Sequence, residues 1–371
     1  MLKQAPRLWF EDIQAFLLKL GFRQCNEDPN LYTKKGVIIL LYVDDLLISY
    51  CDKQAADEVK RLLKRKYKMS DLGSARRFLG MIIKQTDKGI FLSQETYIDS
   101  MIRRFRMEDA TPIHSPMDPH VMLDNGACED KPADRELYLS IVGSLMFAAL
   151  GTRPDIAFSV TALSRYNVLP LQMHLTAAKR VLRYLVATKT RGLFYPSEDP
   201  GHLHGLHGYT DSDWAGRTST RKSVGGYIFV DGGPISWQAK SQSVVALSTL
   251  EAEYIAASDA TREAIWLRRM RNDMSTPDAA PIRMGCDNQG ALKLIDTGIF
   301  KAKTKHIDVK YRHIHDEQKN HKTVDFHYVN TELNLADLLT KSLTRIGHES
   351  LVKRTGLCSE DKVDGMQEEG E

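Results

Sequence analysis

The sequence predicts an α/β (α+β) chain of more than one domain, and three observations carry that reading. The apolar run VIILLYVDDLLISY, Val37 to Tyr50, is interrupted only by the adjacent Asp44 and Asp45. An unpaired buried charge costs several kcal/mol, so the run is expected to fold back at the acids as strand, tight turn and strand. From His204 onward HGLHGYTD, GGYIFV and ISWQ read as an antiparallel meander, followed by alternating helix and strand patterns. That order belongs to a mixed-sheet α/β domain. The length, 371 residues, suffices for two or three hydrophobic cores.

The elements follow in order. Trp9, Ile13, Phe16, Leu17 and Leu20 mark a first helix ended by Gly21. After the Asp-Asp hairpin, Asp52 is placed to cap a helix whose apolar face is Ala55, Val59, Leu62, Leu63 and Tyr67. Its other face is basic (Lys60, Arg61, Lys64, Arg65, Lys68), which suits either a solvated surface or contact with phosphates. Residues 78–92 read as a second hairpin turning at Asp87–Gly89, and Ser93 is expected to cap the helix after it. Thr111 to Lys131 has no periodicity and marks a connector. Helices are expected near 134–150, 171–187, 249–271 and 305–319, with a last strand VDFHYV and a last helix LNLADLLTK.

Composition narrows the class. Hydrophobic residues make 42% and charged residues 27%, as in an ordinary globular protein. The acidic stretch 359–371 holds six acids and one Lys, net −5; with +3 for the whole chain, the remainder carries +8. A basic body suits a polyanionic partner. Cys25, Cys51, Cys128, Cys286 and Cys358 form no CxxC pair and are odd in number, which fits reduced thiols in an intracellular compartment. The N-terminus has no signal-peptide core, and no run reaches the roughly 20 apolar residues of a membrane span.

The carboxylates of the second half carry the chemistry. Asp211 ends one strand, beside Asp213, and Asp287 ends another. Ser248 and Glu251 fit a capping box, so Glu251 has a structural task. The helical stripe from Glu253 runs through Ala257, Ala260, Ala264 and Leu267, small residues suited to packing on a sheet. Asp337 stands among leucines. Four such acids on one side of a sheet would repel without cations. They match what two-metal phosphodiester hydrolysis needs, carboxylates around two ions roughly 4 Å apart. Solvated or capping acids are the plain alternative for each one singly.

LLYVDDLLISY resembles the hairpin of reverse transcriptases in the form found in copia-type LTR retrotransposon Pol polyproteins. LKQAPRLWF is similar to that family's nucleotide-pocket motif, and MSDLGSARRFLGMII and LYLSIVGSLMFAALGTRPDIAFSVTALSR to its thumb and connection. GYTDSDWAG, RKSVGGYIFV, ALSTLEAEY, CDNQGAL, KTKHIDVKYRHI and NLADLLTKSL resemble its RNase H domain. The resemblance implies a truncated palm and thumb over 1–115, a connection over 116–203 and an RNase H-like mixed-sheet domain over 204–345. The acidic tail 346–371 is expected to be disordered.

By position, the resemblance makes Asp211, Glu253, Asp287 and Asp337 the RNase H metal ligands, and Asp44 and Asp45 polymerase ligands. It places Tyr42 near the primer end and Gln4 at the nucleotide. Two Mg²⁺ or Mn²⁺ ions per site are implied. The partners would be an RNA–DNA hybrid, primer and template, and the rest of Pol, in a cytoplasmic particle or nucleus, with no membrane. The chain begins inside the nucleotide-pocket motif, so the third palm carboxylate and the fingers fall outside it. Hydrolysis of hybrid RNA is therefore the expected activity, with polymerase activity lost; the alternative is a non-catalytic remnant that at most binds nucleic acid. His306 and His327 are candidates for an auxiliary proton-transfer residue. His313, His315 and His321 lack Cys partners, so no zinc site is expected among them.

Overall fold

The structure, a computed structural model, describes residues 4–123, 130–197, 205–214, 221–274, 280–298 and 308–365. The chain divides into two compact units, residues 1–78 with 263–280, and 79–262 with 281–371.

The first unit contains α1 (Ala5–Lys19), β1 (Arg23–Gln24), β2 (Leu31–Lys34), β3 (Val37–Tyr42), β4 (Asp45–Tyr50), α2 (Lys53–Lys66) and β5 (Arg77–Phe78). Its sheet runs β1-β2-β3-β4, antiparallel throughout. The apolar run does fold back at the Asp pair, with Tyr42 opposite Asp45. Val37, Ile39 and Leu41 are buried with period two against Ile13 and Leu17 of α1 and Val59 and Leu63 of α2. Asp52 caps α2 as expected, its Oδ1 accepting from Ala55 N at 3.1 Å. Ala56 rather than Ala55 is the buried member of that face.

The second unit continues with β6 (Met81–Thr86), β7 (Gly89–Ser93), α3 (Glu95–Arg104), α4 (Arg135–Gly151), α5 (Ala157–Ser164), α6 (Gln172–Ala187) and β8 (Arg191–Pro196). Then follow β9 (His207–Asp213), β10 (Val224–Val230), β11 (Pro234–Ser241), α7 (Thr249–Asp273), β12 (Ile282–Cys286), α8 (Gln289–Thr297), α9 (Asp308–Lys319) and β13 (Val324–Tyr328). A 3₁₀ helix Leu335–Leu339 precedes α10 (Arg345–Arg354), β14 (Leu357–Ser359) and α11 (Glu360–Gly365). The sheet β11-β10-β9-β12-β13 has three antiparallel strands joined to two parallel ones, the mixed sheet expected of an RNase H-like domain. Residues 263–273 of α7 belong to the first unit, where Asp273 accepts from Asn26 N at 2.8 Å.

Several features differ from the expectations. The compact units divide between Phe78 and Leu79, whereas the resemblance sets a boundary at 115/116; β7 and α3 share sheet and core with residues further along. Within the second unit a sheet runs β14-β8-β7-β6, so strands from the expected thumb, connection and tail pair directly. The expected boundary at 203/204 lies outside the described residues. The tail expected to be disordered holds α10, β14 and α11, because Leu351, Val352, Leu357 and Val363 are buried. Its last residues, 366–371, lie outside the described residues. Gln94 rather than Ser93 occupies the cap position of α3, and the segment around Asp337 is a 3₁₀ helix.

Candidate active site

Strand pairing brings the first two acids together. The parallel neighbours β9 and β12 align Tyr209 with Gly285, and Asp211 and Asp287 each lie two residues beyond that pair. They therefore stand side by side at the same level of adjacent strands. Opposite Asp211 on β10 is Gly226, where an added Cβ would lie 2.7 Å from Leu339 Cβ. Only glycine admits the 3₁₀ helix that closely, and that helix delivers Asp337. One oxygen each of Asp211, Asp287 and Asp337 lies within 4.8 Å of the other two.

Glu253 comes from the first turns of α7. Ala257, Ala260 and Ala264 on its stripe are fully buried, the packing anticipated from their size. Glu253 forms a second close group with Cys286 and Asp287. Glu251 takes the structural role: its Oε2 accepts from Leu247 N at 2.7 Å while Ser248 Oγ accepts from Glu251 N at 3.2 Å. Helix geometry thus separated two acids only two positions apart.

The electrostatics of the cluster are strained. Asp211, Glu253 and Asp337 are 3%, 6% and 4% exposed, too little for water to solvate three carboxylates. Burial, reinforced by Asp211 and Asp287, pushes Glu253 up to about 10. Burial and then Asp211 push Asp337 up to about 7. Asp211 is also raised, chiefly by burial, against the opposing pull of Lys341. Glu253 Oε2 and Asp337 Oδ1 are buried with no hydrogen-bond partner among the described residues. Orphaned acceptors facing like charges are the donor set that a hard divalent cation satisfies, so these residues fit Mg²⁺ or Mn²⁺.

Lys341, which the sequence reading did not single out, completes the cluster. Its Nζ is 3.0 Å from Asp337 Oδ2 and 3.6 Å from Asp211 Oδ2. Burial alone would lower its pKa, but Asp211 and Asp337 outweigh that and hold it above the usual range. The spacing Asp337–Lys341 is one helical turn, so the first pair was available as a sequence signal; the second needed the fold. Two hydroxyls orient the carboxylates. Thr340 Oγ1 donates to Asp211 Oδ2, and Thr331 Oγ1 donates to Asp287 Oδ2 at 2.7 Å.

Other expected site residues lie elsewhere. Asp44 and Asp45 are exposed, as is Tyr42 at 52%. The tip of that hairpin is solvated rather than buried, because the ladder runs past Leu41, the last core residue of β3. Among the described residues, neither acid belongs to a group close enough to share an ion. Val43 takes a left-handed φ of 52°, and its carbonyl accepts from Trp9 Nε1 at 2.7 Å, which holds the turn. Gln4 is exposed at the cap position of α1. His327 lies on β13 outside both acid groups, and His306 lies outside the described residues.

Residues 1–119 match the family described as reverse transcriptase (RNA-dependent DNA polymerase). The chain is 39% identical to the Retrovirus-related Pol polyprotein from transposon TNT 1-94 of Nicotiana tabacum, over 96% of this chain and 28% of that one. It thus spans about a quarter of the length of such relatives. It is 37% identical to the Putative transposon Ty5-1 protein YCL074W of Saccharomyces cerevisiae, over 71% of this chain and 86% of that one. Among solved structures, a foamy viral protease-reverse transcriptase in complex with dsDNA is similar at 15% identity with a TM-score of 0.47, over 88% of this chain and 59% of that one. The chain belongs to the Pol polyproteins of copia-type LTR retrotransposons.

Proposed function

We propose that the second unit hydrolyses the RNA strand of RNA–DNA hybrids by RNase H-type chemistry at Asp211, Glu253, Asp287 and Asp337. The observation that carries this reading is the convergence of four acids, three of them buried, on two groups that share Asp287. Asp211, Asp287 and Asp337 would hold one Mg²⁺ or Mn²⁺, and Glu253 with Asp287 a second. Bound there, the ions would polarise the scissile phosphate, lower the pKa of attacking water and stabilise the leaving oxygen.

The residues of the chain supply the rest. Thr340 and Thr331 fix which oxygen of Asp211 and of Asp287 is free to act as a ligand. Lys341 offsets part of the charge of Asp211 and Asp337, which eases their burial before any cation arrives. The hybrid would be recognised by its shape and its 2′-hydroxyl groups. Among the described residues of the first unit, Asp44 and Asp45 are exposed and join no comparable acid group, which favours hydrolysis over polymerisation as the activity of this chain.

The test is purified chain with an end-labelled hybrid and Mg²⁺. Cleavage confined to the RNA strand is expected, abolished by chelation and reduced at least about a thousandfold by Asp211→Asn, since several kcal/mol of charge stabilisation is lost. No cleavage, or cleavage unaltered in Asp211→Asn, overturns the proposal. Salt-sensitive hybrid binding without turnover would favour a non-catalytic nucleic-acid-binding role instead.

A further inference from the structure

Cys286 is a residue that all-oxygen metal chemistry does not use. It is the last residue of β12, fully buried, and among the described residues its Sγ makes only a long contact, 4.0 Å, to Asn288 O. Yet Sγ, a Glu253 oxygen and an Asp287 oxygen all lie within 4.8 Å of one another. Glu253 is 6% exposed, and its Oε2 has no hydrogen-bond partner among the described residues. A thiol that merely filled core volume would not need two carboxylates beside it, one of them with an unsatisfied oxygen.

We propose that Glu253, Cys286 and Asp287 form a mixed sulfur–oxygen site for a thiophilic divalent cation, Zn²⁺ or Cd²⁺, which it takes in preference to Mg²⁺. The donor set decides the preference. Zinc accepts thiolate at about 2.3 Å and carboxylate at about 2.0–2.2 Å in a tetrahedron, so three donors this close need only small rotations to meet on one ion. Three protein ligands leave the fourth position open to water or phosphate. Magnesium demands an octahedron of oxygens and gains nothing from sulfur, and affinities at mixed-donor sites favour the later divalent ions. Binding replaces the thiol proton with the metal, and that proton passes to solvent. The site shares Glu253 and Asp287 with the proposed hydrolytic centre but does not depend on that activity.

The test is Cd²⁺ titration of the whole purified chain, followed by the ultraviolet thiolate-to-cadmium charge-transfer absorbance. A saturable band is expected that survives about a thousandfold excess of Mg²⁺. Cys286→Ser should remove it, and Glu253→Gln, which keeps the thiol, should weaken Cd²⁺ binding roughly tenfold or more. A band of equal size in folded Cys286→Ser would assign the signal to another thiol, such as exposed Cys51, and overturn the site. If Cys286→Ser fails to fold by circular dichroism, Glu253→Gln decides, and unchanged Cd²⁺ affinity there overturns the proposal. A chain that shows the band without cleaving hybrid keeps this site and loses the hydrolytic reading; cleavage without the band does the reverse.

Discussion

Arg153→Ala is expected to remove about 3–5 kcal/mol from the stability of the second unit, a large fraction of the roughly 5–15 kcal/mol that a domain has. Arg153 is fully buried, and its guanidinium is shared between two partners. Nε and Nη2 donate to Asp155 Oδ1 and Oδ2 at 2.9 and 2.7 Å, while Nη1 and Nη2 donate to Thr188 O and Oγ1 at 2.9 and 2.7 Å. Tyr184 OH donates to the same Asp155 at 2.6 Å, and His348 Nε2 lies 3.1 Å from its carbonyl oxygen. The network thus ties α6 and α10 to the turn after α4. Burial alone would raise Asp155, but Arg153 outweighs it and holds the carboxyl down at about 2.

Truncating the arginine leaves that carboxylate charged and unpaired in a site 2% exposed, which is why the loss exceeds the net worth of the pair. Removing both partners should be milder, so Arg153→Ala/Asp155→Ala is expected to regain part of the loss. Urea unfolding of the three proteins checks this. An Arg153→Ala midpoint equal to wild type, or a double variant as unstable as the sum of the singles, would show that the pair does not act as a unit.

The second large effect is a pH dependence that Mg²⁺ should cancel. A carboxyl whose folded pKa is raised binds its proton more tightly folded than unfolded. Stability is then full below the unfolded pKa and falls as pH rises towards the folded one. Asp337, raised from 3.8 to about 7, and Glu253, raised from 4.5 to about 10, both act in this direction. Without divalent cations, the loss between about pH 4 and 8 is on the order of a few kcal/mol, or roughly 5–10 °C in Tm.

The buried His348, lowered by burial, opposes this trend below its ordinary 6.5, because the unfolded chain takes the proton. The informative quantity is therefore the difference between melting curves in Mg²⁺ and in EDTA, from which the histidine contribution cancels. That difference should grow steadily from acid to neutral pH. Lys341→Ala should enlarge it, since the ammonium beside Asp211 and Asp337 is the cation already present in the cluster. A difference that is flat with pH, or unchanged in Lys341→Ala, would mean the acids do not govern stability.

Much of this was legible in the sequence because the signals are local. The Asp-Asp run had to fold back, the Ser248–Glu251 box identified the capping acid, and the small-residue stripe pointed Glu253 at the sheet. Each of these depends on residues within a few turns or one hairpin. What sequence reasoning missed depends on contacts that no window contains. Thr340 meets Asp211 across 129 positions, and Lys341 reaches Asp211 only because Gly226 lets the 3₁₀ helix settle on the strand. Cys286 looked like one of five unremarkable thiols until β12 placed it beside Glu253. The tail looked too poor in apolar residues to pack, whereas the four buried residues Leu351, Val352, Leu357 and Val363 anchor it. The sequence by itself therefore determined most strands and helices, since periodicity and capping are short-range physics, while its motifs carried the resemblance that names the family and implies the four acids. The tertiary structure decided which cation, hydroxyl and thiol surround those acids and where the units divide, since burial and charge pairing act through space rather than along the chain.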